Sequence, residues 1–306
     1  MPDVEQFIVD GHIVSTGLRM PTAEDNRLMA TMETFPEDWI WDPKDIEKAL
    51  VINGSQRYML DRKKRAFRMR NQSALGKCNG SANASGFEQI REIQGMAHVP
   101  LADCYTYIGC NGGKDQGSGL PTTFTYAQTN GFSPYLLQCG GITKTFPNDA
   151  YNARQVPADV MAQAKIESRR FMGVRLSKIP LGNFQLFCQV TATAIARRLP
   201  VVWAWQVGGP GSRLNNGYMQ VSKGMGNHAN LLHSGKWVGG KNLVDPDNEN
   251  SWGPTADPLY GPPGPAWGEN GFGLCTMEDA YACAHIHPPY IMISASADVA
   301  DGTYKQ

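Results

Sequence analysis

The residue best placed for chemistry is Cys78, which opens the stretch CNGSANASGFEQIREI, small and polar at first and ending in good helix formers. A helix beginning at or just before Cys78 sets its thiol at the positive end of the helix dipole. There a thiolate is favoured, and free first-turn N–H groups can hold a developing oxyanion. The other cysteines are Cys104, Cys110, Cys139, Cys188, Cys275 and Cys283, and no pair has the two-residue spacing of zinc ribbons or redox motifs. His285 and His287 stand two apart but have no acidic or sulfur partner at hand, so no metal site is expected. Taken singly, a cysteine at a helix start is as consistent with an ordinary semi-buried thiol, a histidine with a structural one and a tryptophan with a core aromatic.

Further segments accompany Cys78 in a definite order. NQSALGKC puts Gln72 six residues and Gly76 two residues before it. Asp103-Cys104 and Gly109-Cys110-Asn111-Gly112-Gly113 follow, then Asn227-His228-Ala229, Asn250-Ser251-Trp252-Gly253 and Trp267-Gly268-Glu269-Asn270-Gly271-Phe272. This succession across residues 71 to 272 resembles the papain-like cysteine peptidase family. The resemblance implies an α+β fold of two lobes, a helical one carrying Cys78 and a barrel-like one carrying His228 and Asn250, with peptide substrate between them.

It implies roles that chemistry makes sensible. Cys78 would attack the peptide carbonyl and pass through a thioester, with His228 taking the thiol proton. Asn250 would orient the imidazole, Trp252 would shield that hydrogen bond, and Gln72 would donate to the tetrahedral oxyanion. Gly112, Gly113, Ser251 and Trp252 would line the substrate, the second glycine through its main chain. No cofactor is implied. The chain departs from the family pattern at Lys77 and Asn79, which flank the nucleophile where small and aromatic residues are usual. Leu75 stands where relatives carry the disulfide partner of Cys110; Cys104 and Cys139 resemble the family's other pairing.

The elements that must position these residues are legible in outline. PKDIEKAL predicts a short helix, as do Val156–Phe171 and the segment 184–198; Gly109–Gly119 reads as loop, and VVWAW after Pro200 as a strand. Beyond it, short apolar runs broken by Gly, Asn and Pro suggest a barrel or twisted antiparallel sheet. The expected organisation is an extension over residues 1–60 and a peptidase domain over 61–306, mainly helical to 182 and mainly β from 183. A proline-rich insertion, PTADPLYGPPGPA, separates Gly253 from Trp267.

Composition sets bounds on partners. In 306 residues Lys plus Arg equals Asp plus Glu at 28 each, so no overall field draws the chain to nucleic acid or an anionic membrane. The local basic run DRKKRAFRMR reads as a solvated loop or edge strand, with a processing site or an acidic partner as the alternative. No stretch reaches the roughly 18 apolar residues of a membrane span, and the start lacks a secretory pattern. Asn-x-Ser triplets at Asn71, Asn79 and Asn83 crowd Cys78, where a glycan would obstruct substrate. Location is left open between cytoplasm and a particle such as a virion. Two other functions compete: a component of a larger assembly, with residues 1–60 making the protein contacts, and a thiol amidase or acyltransferase on the same residues. Whether the extension lies in the cleft beside Cys78 or reaches to another chain separates an inhibitory segment from an assembly arm.

Overall fold

The computed structural model describes residues 5–9, 11–52, 69–207, 226–253, 257–264, 267–268 and 271–295. The basic run through Arg68 and parts of the N-terminal extension and the proline-rich insertion lie outside them.

Helix α3 (Cys78–Ile93) is the axis of the molecule, and its residues from Cys78 to Ile90 are all buried. Its Gly80, Ser81 and Asn83 are weak helix formers, so tertiary packing sustains it. It lies against α4 (Asp103–Cys110), α5 (Leu120–Asn130) and three strands of the main sheet. A Cβ on Gly80 would come 2.8 Å from the Asp103 carbonyl oxygen, so this glycine permits the close approach of α3 and α4.

The main sheet comprises β5 (Arg175–Lys178), β6 (Val201–Trp205), β7 (His228–Val238), β8 (Asn242–Glu249), β9 (Phe272–Leu274) and β10 (Tyr290–Ser294). Its order is β5-β10-β6-β7-β8-β9, with every neighbouring pair antiparallel. Strand β6 is buried at every position, which accounts for the unbroken apolar VVWAW. Helices α7 (Phe184–Ala196) and α8 (Met277–Ala284) pack on this sheet, and α2 (Pro43–Ile52) packs on α7 and β7. A peripheral hairpin, β3 (Leu136–Cys139) with β4 (Ile142–Thr145), and α6 (Ala158–Glu167) complete the helical side.

The helices expected at 43, 156 and 184 and the strand at 201 are present. The expected loop over 109–119 begins later, because Gly109 and Cys110 form the last turn of α4. Before α3 the chain forms a hairpin of β1 (Gln6–Val9) and β2 (His12–Ser15), then α1 (Ala23–Thr31).

A candidate active site beneath the N-terminal segment

Cys78 is the first residue of α3, and His228 is the first of β7; both are fully buried. The register of β6 with β7 sets Trp205 opposite His228, and their rings meet edge to face at 5.7 Å. Asn250 follows β8, and its Oδ1 lies 2.7 Å from His228 Nε2, while His228 Nδ1 has no hydrogen-bond partner. The Trp252 ring covers the imidazole at 4.5 Å between centroids. An imidazole gripped at Nε2 and unengaged at Nδ1 can take and return a proton at Nδ1.

Gln72 reaches the site because its backbone N–H donates to the Ser251 carbonyl and its Oε1 accepts from the Ser251 hydroxyl. Its Nε2 donates at 2.8 Å to the carbonyls of Leu75 and Ser15. Contacts thus link Gln72 with Ser251 and His228 with Asn250 and Trp252, and Cys78 lies beside the N–H groups of Ala229 and Gly17. The Gly113 N–H is taken by Asn111 Oδ1, and its carbonyl by Asn152 Nδ2. The main chain that pairs with the N-terminal segment is that of Ser118. Asn79 Nδ2 donates to the Ser118 carbonyl at 3.3 Å, which gives the departure at position 79 a purpose. Sequence reasoning missed Ser118, and no motif announces it.

The site is filled by its own chain. The Ser15 carbonyl accepts from Gln72 Nε2 and also from Trp252 Nε1, each at 2.8 Å. The amides of Gly17 and Leu18 donate to the Asn227 carbonyl, Ser118 N–H donates to the Gly17 carbonyl, and Arg19 N–H to the Ser118 carbonyl. Outside this stretch, Gln6 Nε2 donates to Ala74, Glu5 accepts from Asn227 Nδ2, and Phe7 lies 6.4 Å from Trp252. A Cβ on Gly17 would stand 1.9 Å from the Gly76 carbonyl oxygen, so only glycine passes there. Asp25 anchors the far end: it accepts from Thr22 N–H and hydroxyl, closing a capping box on α1, and from Thr122 N–H and hydroxyl at the start of α5.

This cover sets the protonation of the pair. Burial pushes the Cys78 thiol up to about 12, against the opposing pull of N–H groups from Ala229, Asn79, Gly17 and Cys78 itself. Burial likewise draws His228 down to about 4, although the Asn250 hydrogen bond favours the cation. The covered site thus holds a neutral thiol and a neutral imidazole. The thiolate expected from the helix dipole is suppressed by desolvation.

Lys77, anomalous in the sequence, is buried immediately before Cys78. Its Nζ lies 3.0 Å from Asp103 Oδ1 and 2.6 Å from the Asn148 carbonyl. Arg70 joins the same network, 2.6 Å from Glu88 and 3.7 Å from Asp103, and its guanidinium stacks over Tyr260 at 5.0 Å. Ser81 and Tyr135 donate to Asp103 as well. Burial opposes the Lys77 charge, but Asp103 holds the ammonium above its ordinary range; burial opposes the Asp103 charge, but Lys77 and Arg70 hold it below its own. Two cations and two carboxylates thus brace the turn before Cys78.

The disulfide implied for Cys104 and Cys139 is not formed: Cys104 Sγ donates to the Asn148 carbonyl at 3.0 Å, and Cys139 faces the Asp159 carbonyl. Asn71, Asn79 and Asn83 are buried, so none presents a glycosylation site in the folded chain. His285 Nδ1 lies against the Tyr281 carbonyl at 2.9 Å, and no helix among the described residues is long and apolar enough to cross a membrane.

No sequence family profile matches the chain, and no curated protein does. Its three-dimensional neighbours are informative. Xylellain, a cysteine protease from Xylella fastidiosa, superposes with a TM-score of 0.59 over 91% of this chain and 96% of its own, at 13% identity. A digestive procathepsin L2 proteinase from the larval midgut of Tenebrio molitor superposes with a TM-score of 0.52 over 91% of this chain and 78% of its own, at 17% identity. The expected two-part α+β architecture is met, and the fold is that of the papain-like cysteine peptidases.

Proposed function

We propose that the chain is a papain-like thiol peptidase held in a self-occluded form. Cys78 attacks the peptide carbonyl while its proton passes to His228. Gln72 Nε2 and the Cys78 N–H steady the oxyanion, and collapse of the tetrahedral adduct gives a Cys78 thioester as His228 protonates the departing amine. Water, deprotonated by His228, then releases the acid and restores the thiol. Asn250 orients the imidazole and Trp252 keeps water from their hydrogen bond.

The observation that carries this reading is the Ser15 carbonyl on Gln72 Nε2, with Gly17 passing over Cys78. A backbone carbonyl occupies the donor assigned to the reacting carbonyl. Residues 5–19 then act as an inhibitory segment, and the described parts of the first 60 residues favour this over an arm reaching into other subunits. In the open form the charges of a Cys78 and His228 ion pair regain solvent and each favours the other.

The test compares the full chain with Gly17→Ala, assaying hydrolysis of a generic peptide amide. The substitution is expected to create or raise turnover that Cys78→Ala abolishes. A chain whose segment is displaced, yet which leaves peptide amides intact, would refute the peptidase reading. Transfer to an added amine in preference to water would assign the same residues to acyl transfer.

A further inference from the structure

Asn230 lies two residues after His228 on β7, so the two side chains leave the strand on the same face. It is buried. One orientation of its amide satisfies both ends. The oxygen accepts from Trp205 Nε1 at 2.7 Å, and the nitrogen donates to the Ala229 carbonyl at 2.8 Å. That nitrogen then stands 3.3 Å from Asn250 Oδ1 and 3.1 Å from His228 Nε2. Asn250 Oδ1 therefore receives two neighbouring N–H donors, while Asn250 Nδ2 has no partner. Trp205 is itself fixed, because the β6 and β7 register pairs it with His228 and pairs Trp203 with Asn230.

We infer that Asn230 is a positioning residue: locked by Trp205, its amide turns the Asn250 carboxamide oxygen towards His228 Nε2 and shares that oxygen with the imidazole. The neutral ring then carries its proton on Nε2, which leaves Nδ1 to exchange a proton with Cys78. An N–H dipole 3.1 Å from Nε2 also opposes a positive ring, as does competition for the shared acceptor. From α3, Cys78 is the ionisable residue beside the start of β7, next to the Ala229 N–H. Glu249 on β8 pairs with His233 at 3.9 Å, Glu5 from the N-terminal segment is taken by Asn227 Nδ2, and Trp205 and Trp252 are neutral. The role in turnover rests on the peptidase reading; the effect on the imidazole does not.

The experiment follows the His228 ring by NMR in the full chain, with its signals identified by loss in His228→Gln. Wild type is expected to show the neutral ring protonated at Nε2. Asn230→Asp replaces an N–H by carboxylate oxygen and is expected to raise the His228 titration midpoint by about 1 pH unit or more. Asn230→Val removes the shared donor and is expected to raise it less. In the Gly17→Ala background Asn230→Val is also expected to lower kcat roughly tenfold with KM unchanged. A midpoint unmoved in both folded variants, or a neutral ring protonated at Nδ1, overturns the inference. Should either Asn230 variant not fold, Trp205→Phe, which frees the amide, carries the same expectation and the same refutation. A shifted midpoint in a chain inert towards peptides would sink the peptidase reading alone, whereas peptide turnover with an unmoved midpoint would sink this inference alone.

Discussion

Gly17→Ala puts the most weight on the described geometry. The φ of Gly17 is ordinary, so alanine brings no backbone strain and the whole effect is one of space. The added methyl would lie 1.9 Å from the Gly76 carbonyl oxygen and 2.2 Å from its carbon, and main-chain atoms cannot swing aside as a side-chain tip can. Overpacking costs about 1 to 3 kcal/mol in ordinary cores, and a clash with backbone belongs at the upper end. The hydrogen bonds of Ser15, Gly17, Leu18 and Arg19 are worth about 0.5 to 1.5 kcal/mol each, so a loss of about 3 kcal/mol offsets a large part of what closes the segment. At 1.36 kcal/mol per factor of ten, the open population rises roughly 150-fold. The assay is the rate of alkylation of Cys78 by a small haloacetamide near pH 7, read by intact mass and peptide mapping. Gly182→Ala, whose methyl would make only an ordinary 3.5 Å contact with Leu186, is the control. An unchanged Cys78 rate in Gly17→Ala, with an unchanged melting temperature, would show that the chain is not pinched at Gly17.

Further outcomes follow from other parts of the site. In the Gly17→Ala background, Gln72→Ala is expected to lower kcat by about a hundred- to a thousandfold while KM stays nearly constant, because the oxyanion donor acts in the transition state. A raised KM at full kcat would remove Gln72 from that role. Lys77→Met strips Asp103 of its nearest cation and is expected to cost about 3 to 5 kcal/mol in urea unfolding; a loss below about 1 kcal/mol would show that Arg70 alone suffices. Asp25 titrates below its ordinary value because its hydrogen bonds to Thr122 and Thr22, with the Arg19 charge, outweigh burial. A depressed carboxylate lends stability above its unfolded pKa of about 3.9 and loses it as pH falls further. Amide exchange at Gly17 and Leu18, referred to the intrinsic rate, should therefore accelerate below about pH 4, and Asp25→Asn should flatten that dependence.

Cys78 at a helix start, His228 at the head of a strand and Asn250 just past the next strand were legible because motif order survives where overall similarity has faded. Helix and strand patterns at Pro43, Phe184 and Val201 were equally plain, since each has a local periodicity or a terminating proline. What escaped was non-local. The path of residues 5–19 depends on hydrogen bonds to Gln72, Ser118, Asn227 and Trp252, and nothing in the local pattern of MPDVEQFIVDGHIVSTG records them. Lys77 stands as an isolated charge in the local sequence because its partners, Asp103 and Asn148, are distant along the chain. Ser118, which belongs to no motif, pairs with Gly17 and Arg19 through its main chain. Cys104 and Cys139 have the expected order, but their sulfurs have found carbonyl partners. The helix dipole that favours a thiolate at Cys78 is local, whereas the desolvating cover that opposes it comes from a distant part of the chain.

The central claim, that Cys78 is a peptidase nucleophile waiting beneath residues 5–19, is tested most directly by trapping its thioester. Gly17→Ala protein mixed with a peptide ester or amide and quenched in acid within the first turnover should show, by intact mass, one acyl group per chain. Peptide mapping should place it on Cys78, and the adduct should disappear in water as free peptide acid accumulates. Acyl groups spread over Cys188, Cys275 and Cys283, or none on Cys78 in a chain whose segment has been displaced, would contradict the account.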